Sequence, residues 1–150
     1  MRAVVQRVSF GQVTVDEEIV GKIEAGVVVL IGAEKGDLTK DAFYIADKIT
    51  HLRIFEDDDG KMNRSLLDTG GEALVVSQFT LLGDARKGRR PAFIKAEAPE
   101  QAEQRCEEVI SRLKDNGIKN VESGRFRTDM KVRLENNGPI TILLDSKKTF

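Results

Sequence analysis

Polar and apolar positions alternate along the first third of the chain and predict strands over Ala3–Val8 and Gln12–Asp16, separated by Ser9-Phe10-Gly11. A tight Asp16-Glu17 turn then leads into a third strand over Glu18–Ile23. Gly26–Gly32 is a glycine-bracketed run of β-branched and apolar residues, the pattern of a strand buried on both faces. Ala73–Phe79 reads the same way. Leu52–Glu56 and Lys61–Asn63 flank Asp-Asp-Asp-Gly as a hairpin. Near the end, Met130–Glu135 and Pro139–Asp145 read as strands joined by an Asn136-Asn137-Gly138 turn.

The period changes twice. With Asp37 or Thr39 as N-cap, Leu38, Ala42, Ile45, Ala46 and Ile49 recur at helical spacing. Pro99 stands at a first helical position, Ala102, Cys106, Val109, Ile110 and Leu113 form the second stripe, and Gly117 supplies the stop. Both stripes are narrow, so each helix lies with one face on a sheet. Strands outnumber helices, and the expected fold class is α+β. Layered, barrel-like β-sheets carry two amphipathic helices on one side.

With 150 residues and no linker, low-complexity tract or repeat, the chain reads as a single domain over 1–150. Apolar residues make up 40% and charged residues 33%, too apolar for disorder. The longest apolar run, Val27–Ile31, is far short of a membrane span, and Arg2 and Arg7 break any signal-peptide pattern. One cysteine forms no internal disulfide, which suits a reducing cytoplasm. A cytoplasmic protein without membrane contact is therefore expected. Net charge is −1, but Arg86, Lys87, Arg89, Arg90 and Lys95 crowd one segment and Lys119, Arg125, Arg127, Lys131 and Arg133 another. Separate basic faces on a near-neutral protein can meet phosphates locally.

Most familiar chemistry is absent. The single histidine, His51, excludes His-based zinc sites, so no metal or other cofactor is expected. Cys106 sits on an apolar stripe, where a thiol behaves as a small hydrophobe. Aligning Gly60 with the glycine of a calcium loop puts Phe55 and Leu66 at ligand positions, so Asp57–Gly60 is a turn. Gly83–Gly88 has P-loop glycine spacing without the Lys-Ser/Thr pair. Ser77-Gln78-Phe79-Thr80 puts three polar groups at the exit of a buried strand, where they orient a ligand or simply cap the strand. Gly138-Pro139 is a bond at which a cis peptide is accessible, although base rates favour a trans turn.

Taken in order, Ser77-Gln78-Phe79-Thr80-Leu81, Arg90-Pro91-Ala92-Phe93, Gly124-Arg125-Phe126 with Asp129-Met130, and Asn137-Gly138-Pro139-Ile140-Thr141 resemble the D-aminoacyl-tRNA deacylases. Gln6-Arg7-Val8, Arg53-Ile54-Phe55 and Gly60-Lys61-Met62-Asn63 match as well, and Ile140 stands where valine is commoner. The resemblance runs from Met1 to about Asp145. It implies an esterase that frees D-amino acids, and glycine mischarged on tRNA, from the terminal adenosine of tRNA. It also implies a homodimer with its sites at the subunit interface. Ser77, Gln78, Phe79 and Thr80 would line the pocket, and Phe126 would lie near the reacting ester. Gly138-Pro139, held cis and steadied by Arg7, would enter the partner's pocket. Two carbonyl oxygens of such a pair could accept the α-amino group and crowd the direction of an L side chain.

Two mechanisms follow from the resemblance. Thr80 could be a nucleophile, although no base is evident to activate it. Alternatively, water attacks with help from the tRNA 2′-hydroxyl, while N–H groups near Phe79 and Thr80 hold the oxyanion. The second fits the lack of His or carboxylate in the Ser77–Thr80 and Gly138-Pro139 segments. A non-catalytic tRNA-binding module using the two basic segments is the alternative of a different class. An esterase for L-aminoacyl-tRNA is a third, disfavoured by the intact Gly138-Pro139.

Overall fold

The computed structural model describes all residues from Met1 to Phe150. Eight strands and three helices follow one another as β1 (Arg2–Val15), β2 (Glu18–Ile23), β3 (Gly26–Gly32), α1 (Thr39–His51), β4 (Phe55–Glu56), β5 (Met62–Arg64), α2 (Leu66–Thr69), β6 (Glu72–Ser77), α3 (Pro99–Asp115), β7 (Val121–Ser123) and β8 (Lys131–Asp145). A 3₁₀ turn, Phe79–Leu82, follows β6. The main sheet runs β2-β1-β3-β6-β7, with β8 along the other side of β1, while β4 and β5 form a separate hairpin. β3, β6 and β7 are parallel, with α1 lying between β3 and β6 in the chain and α3 between β6 and β7. The sheet curls until β2 meets β7: a Cβ at Gly21 would lie 2.6 Å from the Ser123 carbonyl oxygen. The α+β, barrel-like expectation holds, with the one-turn α2 as an addition.

The segment Ser9-Phe10-Gly11 does not divide β1. Residues Arg2–Val8 pair with β3 and Gly11–Val15 with β2, so the strand passes from one neighbour to the other at that place. An extra residue there, Ser9, forms a bulge against β8. One inserted residue reverses the alternation of faces. Ala3 and Val5 therefore pack under the helices, while Val8, Val13 and Val15 all enter the barrel interior. The first cluster joins Ile31, Ile45, Ile49, Val109 and Leu113; the second joins Ile23, Val28, Leu74 and Val76. Both helical stripes are buried as expected, except that Leu38 is exposed and Ile110 is half-buried.

Neither Asp37 nor Thr39 caps α1. The N-cap is Leu38, whose N–H donates to the Asp41 carboxylate at 2.8 Å. Asp37 is instead buried against the Met1 ammonium at 2.8 Å and accepts the Glu34 N–H at 2.6 Å. Pro99 opens α3 and Gly117 follows its end as anticipated, with Asn116 as C-cap and Gly117 at positive φ. β6 ends at Ser77, earlier than the apolar run suggests, because the chain turns into the 3₁₀ segment.

The C-terminal pair of strands is also one element. Both halves of β8 run antiparallel to β1, so Asn136-Asn137-Gly138 is not a hairpin turn. Residues 137–140 loop out opposite the single residue Arg7. The Gly138-Pro139 peptide within this loop is cis.

Candidate active site

A cavity of about 620 Å³ opens where several regular elements end together. Its walls are the ends of β3 (Ile31–Ala33) and β6 (Val76, Ser77), Gln78 and Phe79 beyond β6, the first turns of α3 (Pro99, Ala102, Cys106), and the 126–130 segment leading to Val132. Ser77, Gln78, Phe79 and Phe126 are thus brought together, as the sequence suggested. Thr80 adjoins them without lining the cavity, and its hydroxyl oxygen accepts a hydrogen bond from the Gln78 amide. The Gln78 N–H donates to the Ile31 carbonyl at 2.7 Å, which fixes this segment to the end of β3. Neither the Phe79 nor the Thr80 N–H takes part in the hydrogen bonds of the surrounding turns and loops.

The cavity holds few groups able to move a proton or attack a carbonyl. The Cys106 thiol is pushed up to about 12, chiefly by burial and further by Glu103 and Glu107, so it stays protonated. The Glu97 carboxylate accepts the N–H groups of Gly36 at 3.1 Å and Ala98 at 2.8 Å. His51 sits exposed at the last residue of α1 and does not line the cavity. Thr80 Oγ1 has an amide donor as its partner, and an amide cannot act as its base.

Arg7, Gly138 and Pro139 form a second group. Arg7 is buried; its Nε donates to the Asn137 carbonyl and its Nη1 to the Ile54 carbonyl, each at 2.9 Å. Glu56 lies 3.9 Å from the same guanidinium. Asn136 fastens the other limb of the loop: its Oδ1 accepts the Ile140 N–H at 2.8 Å and its Nδ2 donates to Thr141 Oγ1 at 3.1 Å. Gly138 and Pro139 themselves are exposed. On β3, Arg7 pairs with Val27, whereas the cavity wall Gly32 pairs with Arg2. Those five residues of strand separate the two groups by about 17 Å.

Sequence reasoning passed over Asn136 as a turn residue and did not foresee the part of the Ile54 carbonyl. Asn in a turn-like run gives no signal that distinguishes a staple from a turn. The cavity residues Arg127 and Met130 were noticed only as a cation and as part of a matched segment.

Comparison with known proteins decides the family. The family described as D-Tyr-tRNA(Tyr) deacylase matches residues 4–145. The chain belongs to that family. Proteins called D-aminoacyl-tRNA deacylase from Thermoanaerobacter sp. (strain X514) and Clostridioides difficile (strain 630) are 55% and 56% identical to it, each over the full length of both chains. Among solved structures, a c-Myc DNA Unwinding Element Binding Protein superimposes with a TM-score of 0.91 at 39% identity, covering 97% of this chain and 98% of its own. A probable eukaryotic D-amino acid tRNA deacylase shares the fold with a TM-score of 0.82 at 20% identity, covering 96% of this chain and 98% of its own. Membership makes the chain a hydrolase and sets aside the purely RNA-binding reading. No helix is long and apolar enough to cross a membrane.

Proposed function

We propose that this protein hydrolyses the ester between a D-amino acid and the terminal adenosine of tRNA, and releases glycine mischarged on tRNA by the same route. The catalytic pocket is the cavity walled by Ser77, Gln78, Phe79 and Phe126, with Thr80 at its edge. Gly138-Pro139 of a second subunit completes it. The observation that carries this reading is the separation of the two groups. Gly138-Pro139 is exposed to solvent about 17 Å along the strand from its own subunit's cavity, so the pair serves a cavity on another copy.

In the assembled site, backbone carbonyls of the Gly138-Pro139 segment receive the substrate's α-amino group and occupy the space an L side chain would need. Discrimination by exclusion leaves the D side chain free to vary, which a merely tight pocket would not. Glycine, with no side chain, is not excluded.

Water is the nucleophile, assisted by the 2′-hydroxyl of the terminal adenosine. The attacked carbonyl oxygen becomes the oxyanion and is met by the N–H groups of Phe79 and Thr80, which the neighbouring turns and loops leave uncommitted. Collapse expels the 3′-oxygen of the adenosine, which takes one proton of the attacking water by way of the 2′-hydroxyl, while the second proton goes to solvent as the amino acid leaves as its carboxylate. A covalent route through Thr80 is disfavoured by its donor partner, and one through Cys106 by the raised thiol pKa. The test is release of amino acid from D-tyrosyl-tRNA, L-tyrosyl-tRNA and glycyl-tRNA. Turnover of the first and third with the second spared is the expected outcome; equal turnover of both tyrosyl isomers would refute the exclusion device.

A further inference from the structure

Between the 3₁₀ turn and α3 the chain makes an exposed arm that the pocket chemistry does not use. Over residues 84–95 it carries five cations, Arg86, Lys87, Arg89, Arg90 and Lys95, against one carboxylate, Asp84, in a chain whose net charge is −1. Every residue from 85 to 95 is exposed. Yet the arm is folded. Asp84 and Ala92 exchange backbone hydrogen bonds of 2.8 and 2.9 Å at its base, and Gly88 turns its tip at φ 73°.

The one carboxylate is already engaged. Asp84 accepts the Arg86 guanidinium through both oxygens, at 2.8 and 2.6 Å, and the Arg86 N–H at 3.0 Å. These contacts hold the Asp84 carboxyl far below the usual carboxylate range. Arg86 thus shapes the arm, while none of the chain's ion pairs uses Lys87, Arg89, Arg90 or Lys95. The other basic segment differs. Its cations are interspersed with Glu122, Asp129 and Glu135, and Arg133 lies over the Phe10 ring at 5.8 Å.

The arm is tied to the cavity rim through its returning limb. Phe93 on that limb packs edge-on against Phe79, a cavity wall, with ring centroids 5.2 Å apart. On the same limb the Lys35 N–H donates to the Lys95 carbonyl at 2.9 Å, and the Glu97 N–H to that of Ala33, another cavity wall, at 3.0 Å. A strand whose last residue enters the cavity therefore has its preceding phosphates beside these free cations.

Building on the deacylase reading above, we propose that the Asp84–Lys95 arm is the docking surface for the phosphate backbone of the tRNA acceptor stem, with Lys87, Arg89 and Arg90 as its contacts. Each phosphate neutralised releases counterions and adds about 0.7–0.9 to the salt slope of binding. The test compares wild type with K87Q/R89Q/R90Q in two assays: binding of uncharged tRNA across a salt series, and hydrolysis of D-tyrosyl-tRNA beside a stemless D-tyrosyl-adenosine ester. A charge-matched control, K40Q/K61Q/K114Q, neutralises three exposed lysines elsewhere.

The arm variant is expected to lose about 2–3 from the salt slope and to raise KM for D-tyrosyl-tRNA at least tenfold at unchanged kcat, with ester hydrolysis intact. An unchanged slope and KM would overturn the proposal. So would an equal loss on the stemless ester, or an equal effect of the control variant. Failure of the wild type to hydrolyse either substrate would sink the deacylase reading instead. The arm would still be judged by tRNA binding.

Discussion

At the cavity, side chains converge because regular elements stop there: β3, β6 and α3 all end or begin within its wall, and Ser77-Gln78-Phe79 is the chain leaving β6. At Gly138-Pro139 the reverse holds, for a 15-residue strand continues on either side of the interruption. The cavity is shaped by the barrel and helices around it, and its polar groups remain half-buried or exposed. The looped segment has little packing of its own and takes its shape from two side chains, Arg7 and Asn136, through hydrogen bonds to its backbone. On the proposed reading, the two places respond differently to substitution. In the cavity, losing one side chain removes one contact. On the loop, a change at one anchor displaces every atom that it presents.

The largest expected effect is at Gly138. Its φ of 138° is one that L side chains rarely adopt, and a Cβ would lie 2.8 Å from Ile140 Cγ1 and 3.3 Å from the Arg7 guanidinium. Gly138→Ala should lower kcat/KM for D-tyrosyl-tRNA by about 10²-fold, the usual cost of an ångström-scale misplacement. Single-turnover hydrolysis measures it, and near-wild-type turnover would show that the loop does not set the site.

Next comes Arg7→Lys, which keeps the charge but cannot reproduce the fork that reaches two carbonyls. Leaving one buried acceptor unsatisfied costs about 1–3 kcal/mol of stability, seen as a lowered thermal midpoint. Turnover should fall about tenfold in parallel. A stable variant with full turnover would remove Arg7 from the positioning role.

A smaller change separates the two mechanisms at the cavity. Thr80→Ala should cost less than about tenfold, since the hydroxyl only orients Gln78. Complete loss, together with an acyl-enzyme trapped on the wild type, would restore Thr80 as nucleophile.

The smallest effect belongs to neither region and serves to sharpen the contrast. Arg112 on α3 holds the Asp47 carboxyl of α1 below its ordinary value, with Asn116 assisting. A carboxylate lowered in the folded state stabilises it above the unfolded pKa, near 3.8, and that contribution fades as pH falls through the folded value. The pair is partly exposed, so it is worth under about 1 kcal/mol. Asp47→Asn should flatten the loss of stability in acid melts below pH 4, while D-tyrosyl-tRNA turnover at neutral pH stays unchanged.

How much of this the sequence could disclose follows from the same division. The cavity segment was legible because Ser77-Gln78-Phe79-Thr80 interrupts an apolar strand, a local contrast. The two helices were legible for the same reason, through repeated apolar spacing. What escaped was anything set by a partner distant in the chain. Ser9-Phe10-Gly11 looked like a break because its role, passing β1 from β3 to β2, depends on strands paired elsewhere. Asn136-Asn137-Gly138 has the composition of a hairpin turn, and only β1 running beside both halves makes it a loop within one strand. Asp37 looked like a cap because its ion-pair partner, Met1, is far away in sequence.

Mixed dimers test most directly the claim that one subunit's Gly138-Pro139 completes the other's pocket. Gln78→Ala and Gly138→Ala chains, each first shown to have lost most of its turnover on its own, are mixed by joint refolding and assayed on D-tyrosyl-tRNA. Pairing in trans gives each mixed dimer one intact site, so activity returns to on the order of a quarter of wild type. No recovery in demonstrably mixed dimers would place both groups in one subunit's site and contradict the assignment.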